Sequence, residues 1–338
     1  MTISDSPTTM DAEPVLDLAH LAHIELLTPD LEGSVAFFTE LMGLHITERS
    51  GQSAYLACYE ERYHHSLKLT QSDRPGLGHA AWRTRSAAAL ARRVAAVEAS
   101  GRGRGWIEGE PGHGPAYQFD LPNGQRWEIF WEVDYASAPD GQASGLLNRP
   151  FRRPRTGIPV RRLDHFNLTA KDVEGTRDFL AATLGFAERE AVVVDGNGPT
   201  VASWLSVTNL SHDMALVPEP GPAAGRLHHA CFCAGTNEAL FDFADLCREE
   251  GVRIEHGPGR HGIGKTTFLY VFEPGGNRIE MLGDPGALVF DPSWATVRWP
   301  ASQLPVAAVW TGTELPGSFW EYATPPDAPY LAEAVGAA

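Results

Sequence analysis

The chain has 338 residues, of which 43% are hydrophobic and 21% charged, so it is long enough to form two globular domains with sizeable cores. Its formal net charge of −16 opposes binding to nucleic acid or to an anionic membrane surface. No apolar run reaches about 18 residues, and the segment 1–17 is acidic and polar. We therefore expect a disordered N-terminal tail over 1–17, no membrane span and no export signal.

The chain contains an internal repeat at a shift of 142 residues, which takes His23 to His165 and Gly43 to Gly185. Later segments also match, with small changes of register. The repeat predicts two homologous domains, at 18–135 and 161–285. We expect a linker at 136–160 between them and a C-terminal lid and tail at 286–338.

Each domain is predicted to contain two copies of a module in which one strand leads into one helix and then three strands. Apolar residues at helical spacing predict helices at 31–42, 86–100, 173–184 and 237–250. Gly43 and Gly185 follow the first and third of these and provide a left-handed stop. Turns rich in Pro, Asn and Gly at 122–124 and 274–277 separate short strands. This pattern predicts an α+β fold in which each domain forms a curved sheet around a cavity.

Three residues of the second repeat are candidate metal ligands, because each lies in a strand-like segment where side chains alternate between the two faces. His165 shares a face with Asn167 in the segment 163–167, and Glu280 lies opposite its apolar neighbours. His228 and His229 are expected to point in opposite directions, and we choose His229 as the one that faces the cavity. Two imidazoles and one carboxylate are the ligand set typical of non-haem Fe(II) oxygenases, and Mn(II) also accepts it.

The first repeat keeps the same ligand types, namely His23, His79 and Glu128. A second metal site in this domain therefore stays open as an alternative. However, Gln118 lies ten residues before Glu128, whereas Tyr270 lies ten residues before Glu280. We expect the chemistry to take place in the C-terminal domain.

The four cysteines, Cys58, Cys231, Cys233 and Cys247, are too few and too unevenly spaced for a disulfide framework, which favours a reducing cytoplasm. The C-x-C segment 231–233 lacks the second pair that a zinc site would use, so we interpret both thiols as packed residues. Basic residues at 152–155 and 161–162 flank Pro and Gly between the repeats. We interpret them as a solvated linker or a subunit contact.

The segment 257–262 (GPGRHG), followed by Tyr270 and by 277–280 (NRIE), resembles the signature of the two-domain type I extradiol ring-cleaving dioxygenases. This family belongs to the vicinal oxygen chelate (glyoxalase-like) superfamily and is typified by catechol 2,3-dioxygenase and homoprotocatechuate 2,3-dioxygenase. The segments 163–167 and 227–229 are similar to those that carry its two metal-binding histidines, and the resemblance extends over residues 18–324. It implies that His165, His229 and Glu280 bind Fe(II).

The same resemblance implies further roles for individual residues. His212 would be the acid/base, and an imidazole, with a pKa near about 6.5, can take a proton from a diol and return it later. Tyr270 and His261 would contact the ring oxygens, and Asn167 and Trp204 would form pocket walls.

The residues that would hold a substrate side chain differ from the homoprotocatechuate pattern. His256 precedes Gly257, and the segment 305–310, which ends at Trp310, is apolar where a basic pair would be wanted. We place His256 and Trp310 at the substrate. We expect a neutral catechol that the Trp-rich tail from Trp294 to Trp320 closes in.

The implied activity is cleavage of a catechol ring next to its two hydroxyls, with insertion of both atoms of O2. The product would be of the 2-hydroxymuconic semialdehyde type, as in the catabolism of aromatic compounds. Two other functions occur on the same fold and stay open: a glyoxalase-like metal-dependent lyase or isomerase, and a metal-free ligand-binding protein. We also expect a homo-oligomer, either a homotetramer or a homodimer.

Overall fold

The computed structural model of the chain describes residues 14–196 and 198–327. Most of the predicted tail at 1–17 and the last part of the predicted lid therefore lie outside the described residues. Within the described part, the strands form two mixed sheets, one of eight strands and one of nine.

The first sheet comes from the first repeat, and its strand order is β2-β3-β4-β1-β5-β8-β7-β6. The neighbours β1 and β5 at its centre are antiparallel, whereas β1 and β4 are parallel. Its elements are β1 (Leu18–Thr28), α1 (Leu31–Ala36), β2 (His45–Ser50), β3 (Ser53–Ala57), β4 (Leu67–Gln71), β5 (Gly76–Thr84), α2 (Ala87–Ala99), β6 (Gly103–Ile107), β7 (Ala116–Asp120) and β8 (Arg126–Phe130).

The second repeat has the same topology. Its elements are β9 (Arg162–Ala170), α3 (Val173–Phe179), β10 (Ala187–Val193), β11 (Thr200–Ser206), β12 (Met214–Pro218), β13 (Leu227–Cys233), α4 (Asn237–Glu249), β14 (Ile254–Arg260), β15 (Thr267–Phe272) and β16 (Arg278–Leu282). The chain continues into β17 (Val297–Pro300), α5 (Leu304–Ala308) and α6 (Gly317–Glu321). The strand order is β14-β15-β16-β13-β9-β12-β11-β10-β17, so β17 extends the sheet beside β10.

The prediction of a module repeated four times is confirmed, because the order strand, helix, three strands recurs at β1, β5, β9 and β13. The two long helices α2 and α4 lie within the predicted segments. The helices α1 and α3 each continue as a wider π-helical turn, over Phe37–Leu41 and Leu180–Leu184. Gly43 (φ 65°) and Gly185 (φ 81°) then adopt the left-handed conformation that the sequence predicted.

The main core lies between the two halves and joins them. Phe166 of the second sheet packs against Trp82 and Trp127 of the first, with ring centroids 6.2 and 5.8 Å apart. Burying one such aromatic side chain stabilises the fold by roughly 1.5–3 kcal/mol. Since side chains alternate along β9, the neighbouring His165 projects from the opposite face of the sheet, away from this core. The core therefore fixes the position of the sheet face from which His165 projects.

Candidate metal centre

His165, His229 and Glu280 converge on one point of the second sheet. They lie on β9, β13 and β16, which are consecutive neighbours in the strand order. The Nε2 atoms of His165 and His229 lie 3.2 and 3.1 Å from Oε2 of Glu280. All three side chains are buried, and one potential ligand atom from each lies within 4.8 Å of the others. The structure therefore brings the three predicted ligands together.

Hydrogen bonds on the far side of each imidazole fix its tautomer. Nδ1 of His165 donates to Oδ1 of Asp164 at 2.9 Å, which leaves Nε2 unprotonated in the neutral ring. His228 donates from Nε2 to the carbonyl oxygen of Phe319 at 2.8 Å, so its Nδ1 is an acceptor. Nδ1 of His229, 2.7 Å away, donates to that acceptor. His229 therefore also presents an unprotonated Nε2.

When both rings are neutral, two lone pairs and a carboxylate face one another in a buried space. Burial lowers the pKa of His165, but its hydrogen bonds to Asp164 and Glu280 outweigh this effect and raise the pKa to about 9, so a proton competes with a metal for the position between these groups. Nε2 of His229 has no hydrogen-bond partner among the described residues. Burial raises the pKa of Glu280, but the positive charge and hydrogen bonds that the imidazoles of His229 and His165 supply when protonated outweigh it and hold the pKa well below the usual range, so the group is a carboxylate. A buried carboxylate that faces acceptors needs a cation. The residues present fit a divalent metal such as Fe(II) or Mn(II).

The expectation that only one of His228 and His229 faces the cavity was wrong. Both residues line it. The reason is a β-bulge between Leu227 and His229 in the pairing of β13 with β9, which breaks the alternation of side chains at this point. His228 therefore acts in the site as the hydrogen-bond acceptor that orients His229.

A cavity of about 250 Å³ opens beside the three converging side chains. His212, at the turn before β12, lines it, and its ring centroid lies 4.1 Å from that of His165. Burial lowers the pKa of His212 well below its usual value, so the ring is neutral. Ser211 Oγ lies 3.1 Å from its Nδ1. A neutral imidazole here can accept a proton from a ligand in the cavity.

Tyr270 and His261 also line the cavity. Nδ1 of His261 donates to the carbonyl oxygen of Ala308, so its Nε2 accepts from the Tyr270 hydroxyl at 3.1 Å. Burial and the nearby Glu280 carboxylate raise the pKa of Tyr270 well above its usual value. The phenol therefore stays protonated and can donate a hydrogen bond to a ligand oxygen.

Of the four predicted substrate-binding residues, two line the cavity and two do not. Asn167 and Trp204 line the cavity, whereas His256 and Trp310 do not. Trp310 is 68% exposed, and the ring of His256 stacks on Phe268 at 5.6 Å instead of facing the opening. We therefore withdraw the placement of these two residues at the substrate.

Two aromatic residues of the tail, Phe319 and Trp320 on α6, line the cavity instead. We expected the Trp-rich tail to close the cavity and chose Trp310 as the side chain at the substrate, whereas Phe319 and Trp320 are the aromatic residues of the tail that line the cavity. The α6 helix has only one turn, and its sequence has no periodic pattern that reveals an inward face.

Comparison with known proteins supports the family that the sequence resembles. The model of the Glyoxalase/Bleomycin resistance protein/Dioxygenase superfamily matches residues 20–129 and 162–281. Metapyrocatechase of Geobacillus stearothermophilus is 48% identical over 93% of this chain and 95% of that protein. The manganese-dependent 2,3-dihydroxybiphenyl 1,2-dioxygenase of Geobacillus genomosp. 3 is 37% identical over 88% and 95%. The crystal structure of homoprotocatechuate 2,3-dioxygenase from Arthrobacter globiformis superposes with a TM-score of 0.80, at 28% identity over 92% of each chain.

The chain belongs to the Glyoxalase/Bleomycin resistance protein/Dioxygenase superfamily and, within it, to the extradiol dioxygenases, a class of oxidoreductase. The two matched segments correspond to the two sheets, while the finer domain boundaries stay predictions. Among the described residues, no helix is both long and apolar enough to cross a membrane.

Proposed function

We propose that this enzyme cleaves the ring of a neutral catechol next to its two hydroxyls, inserts both atoms of O2 and releases a product of the 2-hydroxymuconic semialdehyde type. The observation that carries the proposal is the convergence of His165, His229 and Glu280 beside a cavity with aromatic walls. The names of the two relatives, a metapyrocatechase and a dihydroxybiphenyl dioxygenase, support ring cleavage of an aromatic diol.

His165, His229 and Glu280 would hold the metal. When bound, the metal supplies open coordination positions for the diol and O2 and a path for electrons between them. We favour Fe(II) for this ligand set. Mn(II) is the second candidate, because one relative is named as manganese-dependent.

The protein's own contribution is proton management and positioning. His212, neutral and at the cavity wall, accepts a proton from one diol hydroxyl and can return it as the ring opens. Tyr270 donates a hydrogen bond to a ring oxygen as negative charge develops there. Asn167 and Trp204 confine the diol between these groups.

The lining of the cavity favours a neutral substrate. Apart from the histidines and Glu280, the described residues that line it are mostly apolar or aromatic, and no arginine or lysine is among them. A substrate carboxylate would thus have no cation to pair with, and burying it would be unfavourable. Alkyl, halo or aryl substituents would instead pack against side chains such as Ile263, Leu315 and Phe319.

The test is oxygen uptake by protein loaded anaerobically with Fe(II), or separately with Mn(II). Catechol should consume one O2 per molecule and give a yellow product, whereas 3,4-dihydroxyphenylacetate should react poorly. Glu280→Gln removes the carboxylate ligand at constant size, so it should lose metal and activity together. A loaded enzyme that leaves catechol intact would reject ring cleavage, and preference for the carboxylated diol would reject the neutral substrate.

Two further expectations stay proposals. All four cysteines are buried and free of disulfides, which supports a reducing, cytoplasmic location. Assembly as a homodimer or homotetramer can be measured by sedimentation of the purified protein.

A further inference from the structure

A second cluster of imidazoles and carboxylates lies in the first half, outside the site described above. His23, His79 and Glu128 lie on β1, β5 and β8, the strands that correspond to β9, β13 and β16. Nε2 of His23 and Nε2 of His79 are 3.0 Å apart, and they lie 3.8 and 3.7 Å from Oε1 of Glu128. All three side chains are buried, and Glu128 is 0% exposed. The geometry of the second half thus recurs here.

A fourth residue, His113, lies beside the three residues whose ligand atoms are within 4.8 Å of one another. His113 lies in the loop before β7, where the second half has His261 in the loop before β15. Nε2 of His113 lies 3.4 Å from Oε1 of Glu128. Its Nδ1 donates to the carbonyl oxygen of Gly114 at 2.8 Å, which leaves Nε2 unprotonated in the neutral ring.

Acceptors therefore face one another in this cluster as well. Nδ1 of His79 donates to Oε2 of Glu25 at 2.9 Å, so in the neutral ring its Nε2 accepts a hydrogen bond from Nε2 of His23 at 3.0 Å. Nε2 of His113 and Oε1 of Glu128 have no hydrogen-bond partner among the described residues. A buried carboxylate oxygen that faces the unprotonated Nε2 of His113 is unfavourable unless a cation lies between them.

We propose that His23, His79, His113 and Glu128 bind a divalent transition-metal ion, with Zn²⁺ as the reference ion, and that this site is structural. Three imidazole nitrogens and one carboxylate oxygen suit Zn²⁺ and similar ions better than Mg²⁺ or Ca²⁺, which prefer oxygen ligands. The ion would tie three neighbouring strands of the first sheet to the loop before β7.

The surroundings of this site leave no open position for a substrate. Gln118 replaces the tyrosine of the second half, and its Nε2 donates to Oε2 of Glu128 at 3.1 Å. Lys68 pairs in register with Glu25, where the second half has Ala215 paired with Asn167. The Lys68 ammonium lies 3.1 Å from the Glu25 carboxylate, so an ion pair stands where the second half has the uncharged side chains of Ala215 and Asn167. Four protein ligands without an open position are typical of structural metal sites.

The competing occupant is a proton. Burial lowers the pKa of His79, but Glu128 and Glu25 outweigh it and raise the pKa above the usual value. An imidazolium at His79 would also relieve the facing acceptors, so the experiment has to separate a metal from a proton.

The experiment counts metal ions in the full-length protein. The protein is stripped with a chelator, incubated with Zn²⁺ and gel-filtered, and zinc per chain is measured by mass spectrometry. We expect two ions per wild-type chain, one in Glu128→Gln, one in Glu280→Gln and none in the double variant. Zn²⁺ should also raise the melting temperature of Glu280→Gln but not that of the double variant.

The control variants separate folding from binding. His113→Asn removes a ligand without touching the buried carboxylate, so it replaces Glu128→Gln if that variant does not fold. Either first-half variant should keep diol cleavage after loading with Fe(II). If the wild-type chain binds one zinc ion and only Glu280→Gln removes it, the first-half cluster holds a proton instead of a metal, and the proposal is wrong. If the Glu280→Gln variant still binds one zinc ion after Glu128→Gln is added, the ion lies elsewhere, and the proposal is also wrong.

Discussion

The hydroxyl of Tyr270 is a neutral hydrogen-bond donor in the wall of the cavity. It donates to Nε2 of His261 at 3.1 Å, and the buried ring keeps its proton because burial raises its pKa. A ligand oxygen that arrives beside Glu280 can take over this hydrogen bond. The donor is then in place before negative charge develops, which is what makes such groups effective in catalysis.

Replacement of Tyr270 by Phe should lower kcat about 10- to 1000-fold without removing metal, because the lost hydrogen bond acts on the substrate and not on the ligands. Steady-state oxygen uptake and metal analysis of the same sample measure the two quantities. Tyr117→Phe, a change of the same type on β7 of the first sheet, is the control and should leave both unchanged. Loss of metal from Tyr270→Phe would contradict the assigned role.

The sequence predicted the direction of a side chain correctly where the strand that carries it is regular. Glu280 lies in a strand that pairs without a register shift, so the alternation of side chains predicted that it faces the cavity. His165 lies next to a register shift in the pairing of β9 with β13, but it still faces the cavity as predicted. His228 could not be predicted, because a bulge in β13 turns it toward the cavity. Trp310 was expected at the substrate but does not line the cavity, and the tail has no regular period from which an inward face could be inferred.

The helices and loops of each module hold these residues in place. The turn between β11 and β12 carries His212, and the next residue, Asp213, accepts hydrogen bonds from the backbone N–H groups of Val207 and Thr208 at 2.7 and 2.9 Å. Burial raises the pKa of Asp213 to about 6. The folded protein therefore binds this proton more tightly than the unfolded chain does.

Asp213→Asn should expose this effect as a pH-dependent difference in stability. The contribution of a carboxyl group whose pKa is raised on folding is greatest below its unfolded pKa, near about 4, and falls as the pH rises toward about 6. The free energy of unfolding of the wild type relative to Asp213→Asn should thus fall by about 3 kcal/mol across this window and stay level above it. Urea unfolding at a series of pH values measures it, and a flat difference would contradict the assignment.

The left-handed glycine after α3 was predicted from its place in the sequence, but its packing was not. Gly185 (φ 81°) would bring a Cβ to 2.4 Å from the carbonyl oxygen of Val15, a contact that no local pattern reveals. The helix ends of all four modules could be predicted, because capping chemistry and apolar spacing are local.

Gly185→Ala should therefore cost more stability than a glycine-to-alanine change that meets only backbone strain. We expect a loss of about 2–3 kcal/mol for Gly185→Ala and about 1 kcal/mol for Gly101→Ala. Gly101 follows α2 with φ 73° and has no atom within 4 Å of its added Cβ. Thermal unfolding of both variants measures the difference. Equal losses would show that Val15 moves away without cost.

At the scale of the whole molecule, the C-terminal tail completes the cavity of the second half. The helix α5 contributes Ala307 and Ala308 to the lining, and α6 contributes Phe319 and Trp320. Short helices such as these are not stable alone and depend on tertiary contacts. Arg278 on β16 provides them, because its guanidinium donates to the carbonyl oxygens of Ser318 and Tyr322 at 3.1 and 2.9 Å.

The same guanidinium forms a two-pronged ion pair with Glu255, at 2.6 and 3.0 Å, and both side chains are almost fully buried. Arg278→Met should lower the free energy of unfolding by about 3–5 kcal/mol, because it leaves the Glu255 carboxylate buried without its cation. It should also raise KM for the diol, since α6 loses its anchor beside the cavity. Chemical unfolding and steady-state kinetics measure the two effects.

A double-mutant cycle with Glu255→Gln separates the ion pair from the anchoring of the tail. Adding Glu255→Gln to Arg278→Met removes the uncompensated charge and should recover part of the stability. KM should stay high in the double variant, because the bonds from Arg278 to Ser318 and Tyr322 are still missing. If KM instead returned to the wild-type value together with stability, other contacts would hold the tail in position. Arg278 would then stabilise the sheet without shaping the cavity.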